Sequence, residues 1–506
     1  MDKKIHKLID IISSKWLYFS TIVIFIGETC WLAVTSRFPM AYDESYHFGL
    51  IKFFSHRLNP IVTNQSASSY RFGALIQNPS FLYHYLMSFP YRLIELFFKS
   101  SEAQVIGLRL INIALVLAAI LIIRRLLRLL NFSNALANLI VLAFALTPIV
   151  TVLSAQISYD NLIIPLVALS VYWTLLFVRH LDQKLFNVKL LLSLLCLCLF
   201  SSLVKFAFLP IFLSITLILL WKIGIFWRQD STLLKDSAKK GFMKIGGYAR
   251  FLLLTIFLLG GLLFIRFYAV NVVKYHNPVP QCNQVLTIQD CKYSYAWNNN
   301  YILKNQGMHV DNLWLSTLRY SSGWVLVSIV DLYGAILPLQ GPYYVNPVLF
   351  LIVALIGTFI LACVVVNSKR VFRKNTEMTI LGIISLIYII FLWGWNYHDY
   401  LQIGQAAGIN GRYLVPVLIL LYTLLGFGLR SALKPQNQYT TAIKVSLATI
   451  IIFSFVCLGG FSQYVYRISP IYGHIGHNND FSEINSVNSV LVLNNQEKQV
   501  HISRHS

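Results

Sequence analysis

Two adjacent carboxylates and a nearby histidine form the sharpest local feature of the sequence. Asp43 and Glu44 stand side by side, and His47 follows shortly after them. One carboxylate can act as a general base while its neighbour orients a substrate or holds a metal, and Asp43 and His47 share a face if the segment is helical. The structural alternative is a solvated helix start, since Asp and Glu favour the first turn of a helix.

Three further polar positions stand in otherwise apolar surroundings. Asp160 lies in a short connection and either joins a site or caps the helix that follows. Lys205 is the lone charge of an apolar hairpin, where an ionisable group is costly and indicates function unless it reaches the interface by snorkelling. Arg412 and Tyr413 open another apolar stretch, and an Arg side chain can hold a phosphate in bidentate fashion.

The composition indicates what kind of scaffold must position these residues. The chain has 506 residues, of which 57% are apolar and 12% charged, and this balance excludes a soluble globular protein. Lys and Arg number 41 against 19 Asp and Glu, which gives a formal net charge of +22. In a soluble protein this charge would suggest nucleic acid, but in an apolar chain its distribution across a membrane has to be considered first.

The apolar residues are grouped into stretches long enough to cross a bilayer, which takes about 20 residues per helix. We therefore predict an all-α polytopic membrane protein with about 11 transmembrane helices. The predicted spans are 17–36, 104–123, 134–152, 161–178, 189–204, 207–221, 251–267, 345–366, 378–395, 413–429 and 445–461. They form one membrane domain, 17–461, with a short segment, 1–16, before it and a tail, 462–506, after it.

The orientation follows from the Lys and Arg residues near the span ends, because these residues are retained in the cytoplasm. The N-terminal segment carries Lys3, Lys4, Lys7 and Lys15, so we place it in the cytoplasm. Every cytoplasmic segment is then basic, and the C-terminal tail is extracytoplasmic. The positive charge is explained as a topology signal and a contact with membrane lipids, which argues against a nucleic-acid partner.

Two predicted outer segments, 37–103 and 268–344, are much longer than a connection requires, and long loops commonly carry function. Their apolar and aromatic stretches predict helices that lie along the membrane interface, at Ser45–Phe54, Phe81–Phe98 and Leu313–Leu337. Cys282 and Cys291 lie close together in the second segment, on the oxidising side, where a disulfide is favoured over two free thiols.

The predicted topology brings the separate polar features to one level, the outer boundary of the bilayer. They are Asp43, Glu44, Asp160, Lys205 and Arg412. Carboxylates can take a proton from a hydroxyl, whereas Lys and Arg can hold a phosphate. A substrate with both a phosphate and a hydrocarbon tail explains why such a site lies at the lipid edge, and an isoprenoid-phosphate sugar is such a molecule.

These residues resemble the integral-membrane GT-C glycosyltransferases, which include protein O-mannosyltransferases and lipid A aminoarabinose transferases. The resemblance rests on the Asp43-Glu44 pair in the first outer loop, on Asp160 after the third span and on Asn410-Gly-Arg-Tyr-Leu-Val-Pro416. Within that superfamily, Asp43-Glu-Ser-Tyr-His-Phe-Gly49 and the Lys205 hairpin are similar to a poorly characterised bacterial family.

The resemblance implies a GT-C-like fold in a bacterial plasma (inner) membrane, with the active site on the extracytoplasmic side. It implies that a sugar is moved from a polyprenyl-phosphate donor to a glycan, lipid or protein acceptor. Asp43 is the implied base, and the anomeric carbon is inverted in a single displacement. Glu44 orients the base or the acceptor, while Lys205 and Arg412 neutralise the leaving phosphate.

The resemblance also suggests roles for the remaining polar residues. Asp160 is a catalytic candidate, and His47 and Tyr413 are candidates for binding the substrate. Some relatives use a divalent cation and others do not, so Asp43, Asp160 and His47 are possible ligands of such an ion.

Other functions fit parts of the pattern. A transporter or flippase for lipid-linked glycans would place ionisable groups near mid-membrane in several spans. Here Glu28 and Arg109 are nearly the only such groups, and they can pair with each other or with backbone. A polymerase or ligase of lipid-linked glycans would rely on basic residues in a late, large loop. A non-catalytic scaffold of the same fold is a further alternative. The early Asp-Glu pair favours the transferase.

Overall fold

The structure of the protein is a computed structural model that describes residues 3–40, 43–306, 313–334, 347–373, 375–406, 408–433 and 438–459. These residues are predominantly helical, and no strand occurs among them. The predicted tail, 462–506, and parts of the second outer segment lie outside the described residues.

The α-helices are numbered in chain order. They are α1 (Lys3–Ser13), α2 (Lys15–Thr35), α3 (Glu44–Ser55), α4 (Leu82–Phe97), α5 (Ser101–Leu129), α6 (Asn134–Ala145), α7 (Pro148–Ser154), α8 (Asp160–Asp182), α9 (Val188–Val204), α10 (Leu209–Gln229), α11 (Ser231–Met243), α12 (Gly247–Phe264), α13 (Val270–Tyr275), α14 (Cys282–Val285), α15 (Ile288–Cys291), α16 (Tyr295–Asn305), α17 (Leu313–Gly334), α18 (Pro347–Val366), α19 (Thr376–Ile403), α20 (Val415–Ala432) and α21 (Gln438–Phe453). Short 3₁₀ helices occur at Ala67–Phe72, Leu75–Gln77, Phe206–Phe208 and Gly411–Leu414, and π-helical segments at Ile265–Ala269, Lys369–Arg373 and Ser454–Gly459.

Long apolar helices identify an integral membrane protein. Among the described residues, eight helices are long and apolar enough to cross a membrane, namely Lys15–Thr35, Ser101–Leu129, Asp160–Asp182, Phe206–Gln229, Gly247–Tyr275, Thr376–Ile403, Gly411–Ala432 and Thr440–Cys457. The bent pair α6 and α7 could form a ninth span, and the two other predicted spans coincide with the shorter apolar helices Val188–Val204 and Leu351–Val366. The predicted number of about 11 spans therefore stays a prediction.

The bend between α6 and α7 has a local cause. Pro148 occupies the first turn of α7, where its missing N–H costs nothing. The residue before a proline is pushed out of the helical region, and Thr147 accordingly has φ −62° and ψ 126°. The two helices meet at 61°. The short helix α7 therefore turns the chain towards the connection that contains Asp160.

The centre of the molecule is built from α5, α8 and α20. α5 packs along α8, and α20 packs against both α8 and α19. Their buried side chains belong to one continuous apolar cluster, which also takes in residues of α2, α6 and α10. Burial on all sides explains why α8 is apolar around its whole circumference. The polar residues at the ends of these helices are therefore held by a rigid core.

The first two of the three helices predicted to lie along the interface differ from each other. α4 exposes an apolar stripe formed by Leu86, Phe89, Leu93, Leu96 and Phe97, as expected of a helix at a membrane surface. α3 packs on α4 and buries most of its length, including His47 and Phe48. α3 is thus enclosed by the protein rather than exposed to lipid. α17 is not among the eight helices of the described residues that are long and apolar enough to span a membrane, and the location of these helices along the interface stays a prediction.

The predicted orientation leads to a labelling experiment. Asn64, in the first outer segment, and Lys239, in α11, both have exposed side chains. In a variant whose free cysteines Cys30, Cys196, Cys198, Cys363 and Cys457 are replaced by Ser, we expect Asn64→Cys to react with a membrane-impermeant maleimide in intact cells. Lys239→Cys should react only after permeabilisation. The opposite pattern would contradict the orientation, and the parent variant without either cysteine is the control.

Candidate active site

A buried ion pair between Glu44 and Arg109 ties the first outer helix to the core. The Arg109 guanidinium donates to both Glu44 carboxylate oxygens, at 2.8 Å and 2.7 Å. Its remaining N–H groups donate to the backbone carbonyls of Ala33, Ser36 and Arg37 at 2.9–3.0 Å. All five donors of the guanidinium are thereby used. Arg109 thus bonds Glu44 and backbone carbonyls, so the backbone alternative of its two predicted pairings is the one observed.

The Glu44 carboxylate is saturated as well. Besides Arg109, it accepts hydrogen bonds from the backbone N–H of Met40 at 2.7 Å and of Ile157 at 3.1 Å. Its side chain is fully buried. A carboxylate with four acceptor positions filled has nothing left to offer an acceptor hydroxyl. Glu44 thereby fixes the start of α3, next to Asp43, and its predicted role of orienting the base stays a prediction.

Asp43 lies in a strained turn and points away from α3. Its backbone is in the left-handed region, with φ 67° and ψ 28°, and its side chain makes no cap on the helix. Non-glycine residues adopt this conformation rarely, although Asp tolerates it better than most. The carboxylate accepts a hydrogen bond from the Arg412 guanidinium at 2.9 Å, and its side chain remains 63% exposed. Asp43 therefore stands as an exposed residue at the helix start, as in the structural alternative, but it pairs with Arg412 and does not cap the helix.

Lys205 and Asp160 form a second buried ion pair. The Lys205 ammonium lies 2.5 Å from Asp160, and both side chains are almost fully buried. Asp160 is the first residue of α8, whose N-cap residue is Tyr159, so the capping role is not observed. Lys205 does not snorkel either. A lysine buried this deeply depends on its carboxylate partner, because an unpaired charge would be too costly.

Two tyrosine rings connect the ion pairs into one cluster. The Lys205 ammonium lies 4.5 Å from the centre of the Tyr159 ring and 5.0 Å from that of Tyr413, within cation–π distance. The Arg412 guanidinium donates to the Tyr413 hydroxyl at 3.1 Å and lies 5.0 Å from the same ring. We call the following six residues the polar cluster: Asp43, Tyr159, Asp160, Lys205, Arg412 and Tyr413. Asp43 supplies its exposed edge.

His47 joins the cluster indirectly, through a second histidine. Its Nδ1 lies 2.9 Å from Nε2 of His84, in α4, and its ring packs on Tyr159 at 4.5 Å. Burial lowers the pKa of His47 well below its usual value, and the charges of His84, Arg412 and Lys205 lower it further. Burial likewise lowers the pKa of His84 to about 3. Both imidazoles are therefore neutral, and one donates to the other.

The predicted set of metal ligands is not brought together. Asp43 contacts Arg412, Asp160 contacts Lys205 and His47 contacts His84. Nowhere in the described part of the chain do three or more His, Cys, Asp or Glu residues form a group that could hold a metal ion. Two of the three candidates are already neutralised by a cation, so the residues present do not fit a divalent ion.

Several residues of this region were not predicted. Asn112 accepts hydrogen bonds from the Tyr83 hydroxyl at 2.9 Å and from the Asn161 amide at 3.0 Å, and so links α4, α5 and the start of α8. Arg109 and Asn112 are three residues apart on α5 and therefore share a face. Two polar residues with this spacing in an apolar span could have indicated their common role, whereas no pattern pointed to Tyr159 or His84.

The turn that carries Arg412 rests on Asp331. The backbone N–H of Gly411 donates to the Asp331 carboxylate at 3.0 Å, and that side chain is buried on α17. A Cβ atom at Gly411 would come within 2.5 Å of the Ser328 carbonyl oxygen, so only glycine allows this close approach. Burial raises the pKa of Asp331 to about 6, although the Gly411 hydrogen bond acts to lower it. Asp331 supports the site without touching the polar cluster.

Three other contacts lie elsewhere in the described part of the chain. Cys282 and Cys291 are bonded to each other, with a Cα–Cα distance of 5.7 Å. Trp297 and Tyr301 stack on each other, with ring centres 4.9 Å apart. His398 is exposed and lies 3.8 Å from Asp399. None of these contacts extends to the polar cluster among the described residues.

Comparison with known proteins found solved structures of limited similarity to this chain. No protein-family model matches the sequence, and no curated protein matches it. The Archaeoglobus fulgidus oligosaccharyltransferase tethered with an acceptor peptide is similar, with a TM-score of 0.47 and 13% identity over 89% of this chain and 55% of that one. The archaeal oligosaccharyltransferase AglB from the same organism, in complex with an inhibitory peptide and a dolichol-phosphate, is also similar. It has a TM-score of 0.44 and 13% identity over 89% of this chain and 56% of that one. The chain spans little more than half of their length.

The saturated ion pair predicts a large difference between two adjacent carboxylates. Glu44→Gln should leave Arg109 buried without a counter-charge and lower the free energy of unfolding by about 3–5 kcal/mol. Asp43→Asn, at the exposed neighbour, should change it by less than about 1 kcal/mol. Thermal unfolding of both purified variants in detergent measures this difference. Equal stability of the two variants would contradict the structural role of Glu44.

The elevated pKa of Asp331 predicts a pH-dependent contribution to stability. Since folding raises this pKa to about 6, from an unfolded value of about 3.9, the ionised carboxylate destabilises the fold above that range. The penalty disappears as the pH falls from above 6 towards 4. Asp331→Asn should therefore stabilise the protein relative to wild type at pH 7.5 and lose this advantage at pH 4.5. A constant difference in unfolding temperature across these pH values would exclude the buried ionised carboxylate.

Proposed function

We propose that the protein is a membrane glycosyltransferase of the GT-C type, which moves a sugar from a polyprenyl-phosphate donor to an acceptor hydroxyl outside the cytoplasm. The observation that carries the proposal is the contact between the exposed Asp43 carboxylate and the Arg412 guanidinium. It joins a group that can take a proton to a group that can hold a phosphate. The motif resemblance of the same residues to GT-C enzymes supports this assignment.

The charges of the polar cluster indicate how a phosphate would enter. Asp43 and Asp160 balance Arg412 and Lys205, so the cluster is neutral while the phosphate is absent. An arriving phosphate has to take the place of one carboxylate. Asp43 is the one that can yield, because it is exposed while Asp160 is buried against Lys205. Phosphate binding at Arg412 would therefore release Asp43 towards the acceptor.

The reaction then needs a single displacement. Asp43 takes the proton of the acceptor hydroxyl, and the acceptor oxygen forms a bond to the anomeric carbon from the face opposite the phosphate. The bond between this carbon and the phosphate oxygen breaks, and its electron pair stays on the leaving polyprenyl phosphate. Arg412 stabilises the charge that grows on this phosphate, in a region where burial strengthens the interaction. The anomeric configuration is inverted.

Lys205 and Asp160 lie deeper than the reacting groups and act on them through their charges. Lys205 is separated from the exposed edge by the Tyr413 ring, which also contacts Arg412. Its charge contributes to the potential felt by a phosphate at Arg412, and Asp160 keeps it in place. Tyr413 and the neutral pair of His47 and His84 shape the walls of the site. The acceptor, whether glycan, lipid or protein, would approach from the side of Asp43.

The transporter hypothesis gains no support from the buried charges. Arg109 follows the start of α5 by eight residues, or about 12 Å at the rise of a helix, and it is fixed to Glu44 and backbone carbonyls. A group saturated in this way does not line a path. The polar residues converge on one end of the helices rather than following a route through them.

The test separates phosphate binding from transfer. With the purified chain in nanodiscs and a polyprenyl monophosphate as the probe, we expect Arg412→Gln to weaken binding at least tenfold. Asp43→Asn should bind the probe as tightly as wild type or more tightly, because a competing carboxylate is removed. In membranes supplied with a panel of polyprenyl-phosphate sugars and endogenous acceptors, the same Asp43→Asn variant should lose transfer of the labelled sugar.

The matched control is Asp399→Asn, which removes a carboxylate outside the polar cluster and should change neither readout. Asp43→Asn with full transfer activity would remove Asp43 from the mechanism. Loss of probe binding in Asp43→Asn, with the fold intact, would contradict the proposed competition between carboxylate and phosphate.

A further inference from the structure

A large cavity lies between the helical core and two peripheral helices, apart from the polar cluster. Its volume is about 870 Å³. Residues of α1, α6 and α20 line one side, and residues of α18 and α21 line the other. The walls are mostly Ile, Leu, Val and Ala side chains, together with Gly357 and Gly426. An apolar cavity of this size between membrane helices has the dimensions of a ligand site.

Three cations stand along this cavity. Arg128 at the end of α5, Arg430 at the end of α20 and Lys444 in α21 all line it, and all three are exposed. Arg430 also donates to the carbonyl of Asn131, which follows α5, at 3.0 Å. No Asp or Glu occurs among the described residues that line the cavity. All three cations belong to segments that we predict to be cytoplasmic, so they mark one end of the cavity.

The cavity also has a polar group deep in its wall. The Ser454 hydroxyl lines it, is only 1% exposed and has no hydrogen-bond partner among the described residues. Tyr333 and Tyr422 line it too, and their hydroxyls lie 3.0 Å apart. The arrangement combines a cationic end, an apolar body and a hydroxyl that lacks a partner. A buried polar group without a partner is costly in an empty cavity.

We propose that this cavity binds an anionic membrane phospholipid, with its phosphate at Arg128, Arg430 and Lys444 and an acyl chain along the apolar walls. Charge complementarity selects the occupant, because three cations without a carboxylate favour an anionic headgroup over a zwitterionic one. The acyl chain fills the space between α18 and α21 and the core. The bound lipid thereby adds apolar contacts to those that α18 makes with α20 and α21 makes with α6.

This site is distinct from the proposed donor site. The donor phosphate is assigned to Arg412, at the predicted outer ends of the helices, whereas the phospholipid phosphate is assigned to their predicted cytoplasmic ends. The two assignments depend on different residues. The lipid site can therefore fail without affecting the proposed transferase, and the reverse also holds.

The first experiment varies the charge. Full-length protein in detergent is titrated with phosphatidylglycerol or phosphatidylcholine of identical acyl chains, and bound lipid is counted by native mass spectrometry. We expect phosphatidylglycerol to bind roughly a hundredfold more tightly, at about 1 kcal/mol for each of the three charges. The triple variant Arg128→Gln, Arg430→Gln, Lys444→Gln should lose roughly a hundredfold in affinity for phosphatidylglycerol, at about 1 kcal/mol for each charge. Its affinity for phosphatidylcholine should not change.

The matched control removes the same number of charges elsewhere. Lys239, Lys240 and Lys244 are exposed residues at the end of α11 and do not line the cavity. Replacing all three with Gln should leave the preference for phosphatidylglycerol intact. An equal loss of affinity for phosphatidylglycerol in this control would mean that the effect comes from general surface charge. That result would overturn the assignment.

The second experiment fills the cavity without changing the charge. A Cβ atom at Gly357 meets no atom within 4 Å, and the residue lines the cavity. Gly357→Phe should therefore fold and reduce the binding of phosphatidylglycerol at least tenfold. Gly27→Phe is the control, because Gly27 has the same free space but lies outside the cavity.

Three outcomes would overturn the proposal. They are equal affinity of the wild type for both lipids, undiminished binding in Gly357→Phe, and an absence of bound lipid in the wild type. The last result would indicate that another part of the chain occupies the cavity.

Discussion

The buried ion pair of Glu44 and Arg109 is the constraint on which the geometry of the site depends. Moving two charges out of water is favourable only when every donor and acceptor is satisfied. Here the guanidinium uses its five N–H groups, and the carboxylate accepts from Arg109, Met40 and Ile157. These contacts join the end of α2, the start of α3, the first third of α5 and the connection before α8. The position of Asp43 relative to Asp160 follows from this junction.

The same arrangement produces two ion pairs that differ in their exposure to solvent. Lys205 and Asp160 are enclosed, and aromatic rings cover the ammonium. The Asp43 side chain is largely exposed and sits in a left-handed turn outside the helix. A locally strained residue at a functional site is held by its surroundings rather than by its own preference. The protein therefore holds one carboxylate rigidly as a counter-ion and leaves the other accessible for exchange.

The sequence was sufficient to predict helices at the spans and to bring Asp43, Asp160, Lys205 and Arg412 to one place. Hydropathy and charge asymmetry allow this prediction because they report on position along the bilayer normal. They do not report on rotation about a helix axis. Asp43 and Glu44 were therefore distinguished only by the family resemblance, whereas the turn directs Glu44 inward to Arg109 and Asp43 outward to Arg412.

The contacts of Arg109 and His47 were not predicted for the same reason, because they depend on the rotation and packing of helices. The rotation of α5 decides that Arg109 faces Glu44, and the packing of α3 on α4 decides that His47 meets His84 rather than a metal. Both depend on tertiary contacts among segments far apart in the sequence. A periodic pattern in one segment does not contain this information, and polar pairs such as Arg109 and Asn112 on one helix face are the nearest available signal.

The support of Arg412 indicates how the proposed exchange between carboxylate and phosphate would leave the fold undisturbed. Gly411 packs directly on α17, and its N–H is held by Asp331. The backbone that carries Arg412 is thus fixed from below by a contact independent of Asp43. When Asp43 leaves, the guanidinium keeps its position and its bond to Tyr413. Because α17 preorganises the cation while its partner is exposed, the cost of binding a phosphate would be limited to displacing one exposed carboxylate.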